Sequence, residues 1–343
     1  MTEVPTPTRP PIWRLVLAVV ISLALLAWAV KGVHLDQFMA NVRGARILPL
    51  IGCVVLATLT FPARLLRWRL LLRRPDGGPY PYKPLWHAVA IGFAANNLLP
   101  FRAGELLRTY AASRLASARL TAALSSIAVE RVFDSLAVVF LLTVALFLPG
   151  MPADVTISGV SITRAAMAAG ILSALALVAA GLVVAFPLAA ERLVHRLIRA
   201  KGLADRINSV IEGLRQGMSA LRSPGRFLGV ALWSVGIWLL NGLAFYVGFA
   251  VFNLPVNFAG ALLLQGVLVF GIAVPLAPGF VGAFEAVIRV VLSIYGIPPD
   301  QSLSFALTYH VTTFIPITVL GLWSFGLTGM SLGHLRQDSR ASE

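Results

Sequence analysis

Eight ionisable side chains stand in stretches that are otherwise apolar: Arg102, Glu105 and Arg108, then Glu130, Arg131 and Asp134, then Glu285 and Arg289. Four are acidic and four basic, so the set can neutralise itself. A charge held at the centre of a bilayer costs about 2.5–3.5 kcal/mol on insertion scales. Side chains of this kind therefore either lock helices together as ion pairs or line a polar cavity for a charged substrate, and the spacing permits both. Glu105 has an arginine three residues to either side, Glu130 and Asp134 share a helical face with Arg131 beside them, and Glu285 and Arg289 lie one turn apart. Arginine forks suit phosphate. The carboxylates would balance the arginines, meet a cationic headgroup or carry protons. His87 and His310, also in apolar stretches, read as satisfied buried side chains, and Asn96 and Asn97 as helix caps.

The elements that must carry these residues are membrane helices. Of 343 residues, 58% are hydrophobic and 12% charged, about half the charge of an average soluble domain. Mean hydropathy is +0.84. The apolar residues fall in runs long enough to cross a hydrocarbon core. This excludes a soluble enzyme, a disulfide scaffold (Cys53 is the single cysteine) and a nucleic-acid-binding domain. The net charge of +14 is explained instead by basic cytoplasmic loops. No G-x-x-x-x-G-K-[ST], H-E-x-x-H or Cys/His ligand cluster occurs, so no ATP site, metal or other cofactor is expected.

Residues 1–11 read as a disordered cytoplasmic tail, and spans are expected at 12–30, 47–63, 120–149, 163–187, 227–252 and 303–330. The Ala27-Trp28-Ala29 sequence raises the alternative of a cleaved leader, but the run before it is long enough to stay as a span. After the second span, the arginines of RLLRWRLLLRR (64–74) are expected to snorkel to the interface, with Trp68 anchoring there. Two pairs of short helices, 85–99 with 103–118 and 259–277 with 280–296, are broken at Pro100 and at Pro275–Pro278. An amphipathic segment covers 189–226 and a cytoplasmic tail 331–343.

Segments 1–14, 64–83, 101–119, 188–226 and 331–343 carry 22 of the 28 basic residues, which places them, and both termini, in the cytoplasm. The first helix pair then begins and ends inside, the second outside, and their shortness favours re-entrant hairpins over full crossings. The chain reads as an all-α polytopic membrane protein of about six spanning helices plus two re-entrant pairs. Residues 12–155 form one repeat and 156–330 a second, inverted one. Each break presents Pro, Phe, Gly, Glu and Arg in that order. Inverted repeats with matching broken helices mark membrane transporters whose site lies at the repeat interface.

The strings RLLRWR (64–69), NLLPFRAGELLR (97–108), ERVFD (130–134) and APGFVGAFE (277–285) resemble the lysylphosphatidylglycerol synthase transmembrane-region family. This is the flippase-like membrane portion of the multiple peptide resistance factor proteins, which also occurs alone. The resemblance covers about 12–330 and implies transfer of a lipid between leaflets. Fused members carry a C-terminal synthase domain, whereas this chain ends soon after its last span, so synthesis of the lipid is not expected.

The reading is a non-enzymatic, lipid flippase-like transporter in a bacterial or archaeal plasma membrane. It would move a phospho- or glycolipid, with membrane lipids and a lipid- or glycan-synthesising enzyme as partners. The eight charges would bind substrate. A small-solute or ion transporter on the same repeat, and a non-catalytic subunit of a lipid- or glycan-modifying complex, are the alternatives. An integral-membrane transferase lacks a recognisable catalytic constellation. In a Cys53-free background, single cysteines in 188–226 should react with an impermeant thiol reagent only from the cytoplasmic side, and those in 150–160 only from outside. The reverse labelling overturns the orientation.

Overall fold

The computed structural model of the chain describes residues 12–100, 103–149, 156–157, 160–161, 171, 223–272 and 278–330. Both tails, Arg102, nearly all of the span expected at 163–187 and most of segment 189–226 lie outside the described residues. So do residues 275–277 of the second break.

Six helices come first: α1 (Ile12–Val30), α2 (Leu35–Arg43), α3 (Ile47–Leu71), α4 (Tyr82–Leu98), α5 (Ala103–Ala116) and α6 (Leu120–Phe147). Two short strands, β1 (Thr156–Ile157) and β2 (Val160–Ser161), pair antiparallel. Then follow α7 (Pro224–Phe249), α8 (Phe258–Gly271), a 3-10 turn at Pro278–Phe280, α9 (Ala283–Ile294) and α10 (Pro299–Leu327). The architecture is helical, and among the described residues three helices (α3, α7, α10) are long and apolar enough to cross a membrane. The apolar part of α1 and the short α2 meet at an 84° bend and make a fourth span if counted as one. At 28 residues, α6 reaches about 42 Å, more than a hydrocarbon core. It carries Glu130, Arg131 and Asp134 at its middle. Large apolar side chains such as Ile47, Leu48, Phe147, Leu232 and Val319 face outward, the inverse of a water-soluble surface.

Two expectations change. The helix expected to stop at residue 63 runs on to Leu71. Its arginine-rich end is packed inside the bundle rather than lying at the interface: Arg64, Arg67 and Trp68 are all buried. The periodicity explains this. Arg64, Arg67, Trp68 and Leu71 share one stripe of α3, which faces protein, not lipid. A short helix, α2, follows the bend after α1. It is tied back when the His34 N–H donates to the Asp300 carboxylate.

Small residues set the packing. α3 and α7 run antiparallel along their whole length, with Gly52 against Val247 at one end and Gly229 against Leu70 at the other. α4 and α10 touch at Gly321, where an added Cβ would lie 2.3 Å from the Ala90 carbonyl oxygen. The α4–α5 hairpin closes tightest. A Cβ on Gly104 would sit 1.9 Å from the Gly92 carbonyl oxygen, and one on Gly92 2.6 Å from the Cβ of Arg108. Such close approach is how membrane helices gain contact without a hydrophobic driving force. The broken end is satisfied from within: Asn96 Oδ1 accepts from the Gly104 N–H at 2.9 Å, so α4 caps α5. The neighbouring Asn97 Nδ2 donates to Thr318 Oγ1 of α10.

Gly92→Val and Gly104→Val should each lower the melting temperature in detergent, by overpacking worth about 1–3 kcal/mol or more. Gly236→Ala, where an added Cβ meets nothing within 4 Å, should leave it unchanged or slightly raised. Equal melting of all three variants would contradict the close approach.

Candidate functional site

Three helices, α3, α5 and α6, bring charge to one place, and α7 adds polar partners. Arg67, on α3, is fully buried. Its guanidinium reaches Glu130 Oε1 at 2.8 Å and both oxygens of Asp134, and it also donates to Ser234 Oγ of α7 at 2.9 Å. Arg108, on α5, grips Glu130 with both Nη atoms, at 3.1 and 3.0 Å. This is the fork geometry that makes arginine–carboxylate pairs strong. Arg131 reaches both Glu130 and Asp134 at 3.1 Å and lies 3.8 Å from Glu105. Indole groups complete the shell. Trp238 Nε1 donates to Asp134 at 2.9 Å, and Trp68 Nε1 donates to Ser126 Oγ at 2.9 Å with its ring under the Arg108 guanidinium at 3.8 Å. Every oxygen of Glu130 and Asp134 thus has a cationic or N–H partner, which is what lets two carboxylates remain charged inside the bundle.

Above the cluster lies a cavity of about 250 Å³. Arg64, Arg108, Arg131, Glu105 and Asp134 contribute its charged wall, and Asn96, Asn97 and Trp238 its polar and aromatic wall. Val269, Ile272 and Phe280 close the other side. Residues flanking both breaks therefore meet here, Asn96, Asn97, Gly104 and Glu105 from the first and Ile272 and Phe280 from the second. The backbone turn at Gly279 (φ +64°) brings this position to within van der Waals reach of the Asn97 carbonyl and the Phe314 ring, leaving no room for a larger residue.

Arg64 is the cation that this shell holds least firmly. It is 8% exposed, its Nη1 lies 3.9 Å from Asp134 Oδ2, and its buried Nε has no hydrogen-bond partner among the described residues. The rings of Phe93 and Trp238 flank it, at 5.2 and 5.8 Å. Among the described residues the cluster sums to Arg64, Arg67, Arg108 and Arg131 against Glu105, Glu130 and Asp134, one cation in excess.

Of the eight residues singled out by sequence, Glu105, Arg108, Glu130, Arg131 and Asp134 come together, and Arg102 lies outside the described residues. Glu285 and Arg289 go elsewhere, and they do not turn toward each other. Glu285 is spent at the start of α9, where one oxygen accepts from the Gly282 N–H at 2.7 Å and the other meets His310 Nδ1 at 2.6 Å. Arg289 Nη1 donates to the carbonyls of Trp28 and Ala29, both at 2.7 Å, capping the C-terminus of α1. Helical spacing alone suggested their pairing, but a helix terminus within reach of each offered better partners. Sequence reasoning missed Arg64, Arg67 and Trp68 as cluster members. The available signal was their i, i+3, i+4 spacing on an otherwise apolar helix.

A helical membrane protein with paired charges under a cavity between two broken hairpins is the class that this geometry defines. The chain belongs to the lysylphosphatidylglycerol synthase TM region family, whose profile matches residues 15–321. It is similar to a UPF0104 membrane protein of Methanothermobacter thermautotrophicus, 26% identical over 323 residues covering 89% of this chain and 90% of that one. A second protein of that description from the same organism is 24% identical over 346 residues, 93% of this chain and 97% of the other. The glycosyltransferase AglD of Haloferax volcanii is 26% identical over 366 residues, which cover 96% of this chain but 57% of that protein.

Arg67→Met should strand Glu130 and Asp134 at a cost of about 3–5 kcal/mol, seen as loss of the folded protein in detergent. Adding Asp134→Leu to Arg67→Met should recover part of the loss, giving a positive coupling in a double-mutant cycle. Additive losses would show that the two side chains act independently.

Proposed function

We propose that this protein is a lipid flippase-like transporter, not an enzyme, that passes an anionic, polar-headgroup lipid between leaflets of a bacterial or archaeal plasma membrane. The observation that carries the reading is Arg64: a buried, incompletely paired guanidinium that faces the cavity and is the one cation for which the cluster has no matching carboxylate among the described residues. A lipid phosphate supplies the missing anion, with Arg131 and Arg108 beside it and Glu105 and Asp134 keeping the site from becoming a trap. The membership of the family and the membrane-protein relatives support the class of this reading, and the substrate comes from the site.

Lipid is favoured over a small solute by the surroundings of the opening. Glu105 and Arg131 have side chains 32% and 39% exposed, and Leu106, next to Glu105 on α5, and Leu98 and Leu99 at the break are exposed apolar side chains. A charged opening with exposed leucines close by in the chain suits a molecule whose head enters while its tails stay in hydrocarbon. A glycolipid headgroup is the second reading, supported by the relative named as a glycosyltransferase; a lipid- or glycan-synthesising enzyme would then be the partner that supplies it. The finer topology belongs to the same proposal: six spans, two re-entrant hairpins in an inverted repeat, and both termini in the cytoplasm. In it, Glu285 and Arg289 hold the second hairpin and α1 in place, and the substrate role passes to Arg64 with Glu105, Arg108, Arg131 and Asp134.

The test is a leaflet-resolved assay in vesicles with a fluorescent-acyl phosphatidylglycerol and an impermeant quencher. The purified protein should speed exchange between leaflets. Arg64→Gln should slow it about 10- to 100-fold, the equivalent of one lost charge-assisted hydrogen bond, at an unchanged melting temperature. No acceleration by the wild type, or full activity in Arg64→Gln, overturns the proposal.

A further inference from the structure

The faces of α7 and α8 that form one wall of the cavity continue beyond it. On α8 the lining residues Val269 and Ile272 fall on one stripe with Gln265, one turn nearer the start of the helix. On α7 the lining residue Trp238 is followed one turn later by Gly242. Gln265 and Gly242 oppose each other, since a Cβ on Gly242 would lie 3.5 Å from Gln265 Oε1. The amide thus stands about 6 Å farther along the bundle than Val269, one turn of rise. It lies on the side away from the α4–α5 break. Beyond it, Leu141, Ala145 and Leu262 close the interior with an apolar cluster.

Gln265 is 2% exposed, and neither Nε2 nor Oε1 has a hydrogen-bond partner among the described residues. An amide buried with both ends unmatched is costly, and large apolar residues would fill the place without that cost. Its neighbours on α8 are leucines, valines and glycine. The chemistry of the side chain says what would satisfy it. An uncharged group that offers a donor and an acceptor together matches a hydroxyl, which is both. A phosphate would satisfy only the Nε2 donor and an ammonium only the Oε1 acceptor.

We propose that Gln265 is a second polar station on the lipid path, which receives the hydroxyl-bearing end of a headgroup whose phosphate is held at Arg64. The substrate class is then a hydroxylated phospholipid or phosphoglycolipid. The headgroup would advance from the charged cavity along the α7–α8 face, past Trp238 and Val269, to the amide that stands before the apolar cluster around Leu262. Glycine at 242 lets α7 pack closely on α8 at this level, since a Cβ there would lie 2.7 Å from Leu262 Cδ2. The inference rests on the lipid-transfer reading above and adds to it the discrimination between headgroups.

The test uses the full-length protein in vesicles with two fluorescent-acyl probes, phosphatidylglycerol, whose headgroup has free hydroxyls, and phosphatidic acid, which has the phosphate alone. Gln265→Met keeps the volume and removes both amide atoms, so it should fold at least as well as the wild type, checked by melting in detergent. It should slow phosphatidylglycerol transfer at least tenfold and leave phosphatidic acid transfer unchanged, whereas Arg64→Gln slows both. Should Gln265→Met fold poorly, Gln265→Leu with the same two probes replaces it. An unchanged phosphatidylglycerol rate in the Gln265 variant, or an equal fractional loss for both lipids, overturns the station while leaving the lipid-transfer reading standing. A wild type that moves neither lipid removes that reading itself.

Discussion

One guanidinium holds the centre of this protein. Arg67 lies with no exposed surface between Glu130 and Asp134, and its remaining hydrogen bond goes to Ser234. In a bundle surrounded by hydrocarbon, neither carboxylate could stay charged without it, and neither could the arginine without them. The three groups come from α3 and α6, the serine from α7. The pairing therefore fixes the rotation and depth of three long helices relative to one another. Arg108 then ties α5, and with it the whole first hairpin, to the same Glu130. Packing among leucines would allow these helices to slide or turn at small cost; paired charges in a low-dielectric interior do not.

The same arrangement divides labour between charges. The most deeply buried, Arg67 and Glu130, are held by several short contacts to protein partners and are structural. Of those that line the cavity, Arg64 and Glu105 have contacts of 3.9 and 3.8 Å, and Glu105 and Arg131 are partly exposed. A gradient from saturated to loosely held charge is what a site needs if it is to bind a headgroup and also release it. A fully satisfied cluster would ignore the ligand. A bare set of arginines would hold a phosphate too long.

Much of this was legible in the sequence because membrane burial makes charge conspicuous. Glu130, Arg131 and Asp134 on a 28-residue apolar helix admit few readings, and the hairpin breaks at Pro100 and Pro278 announce themselves by proline and glycine. What escaped were residues whose role depends on which face of a helix meets protein. Arg64 and Arg67 resembled snorkelling interfacial arginines because they lie beside further arginines at a helix end; only the packing of α3 against α6 and α7 shows that they point inward. Glu285 and Arg289 failed in the opposite way. Their spacing matched an ion pair, but the N–H of Gly282 and the terminal carbonyls of α1, distant in sequence, lay closer to hand. Local patterns find charges; long-range contacts decide their partners.

The capping of α1 by Arg289 also orders events in time. The carbonyls of Trp28 and Ala29 receive their donor from a residue made 260 positions later, and His34 receives its partner Asp300 later still. Chains emerge from the ribosome at about 5–20 residues per second, so α1 spends on the order of ten seconds or more in the membrane before its docking surface exists. Among the described helices, the first to be synthesised is thus among the last to be seated.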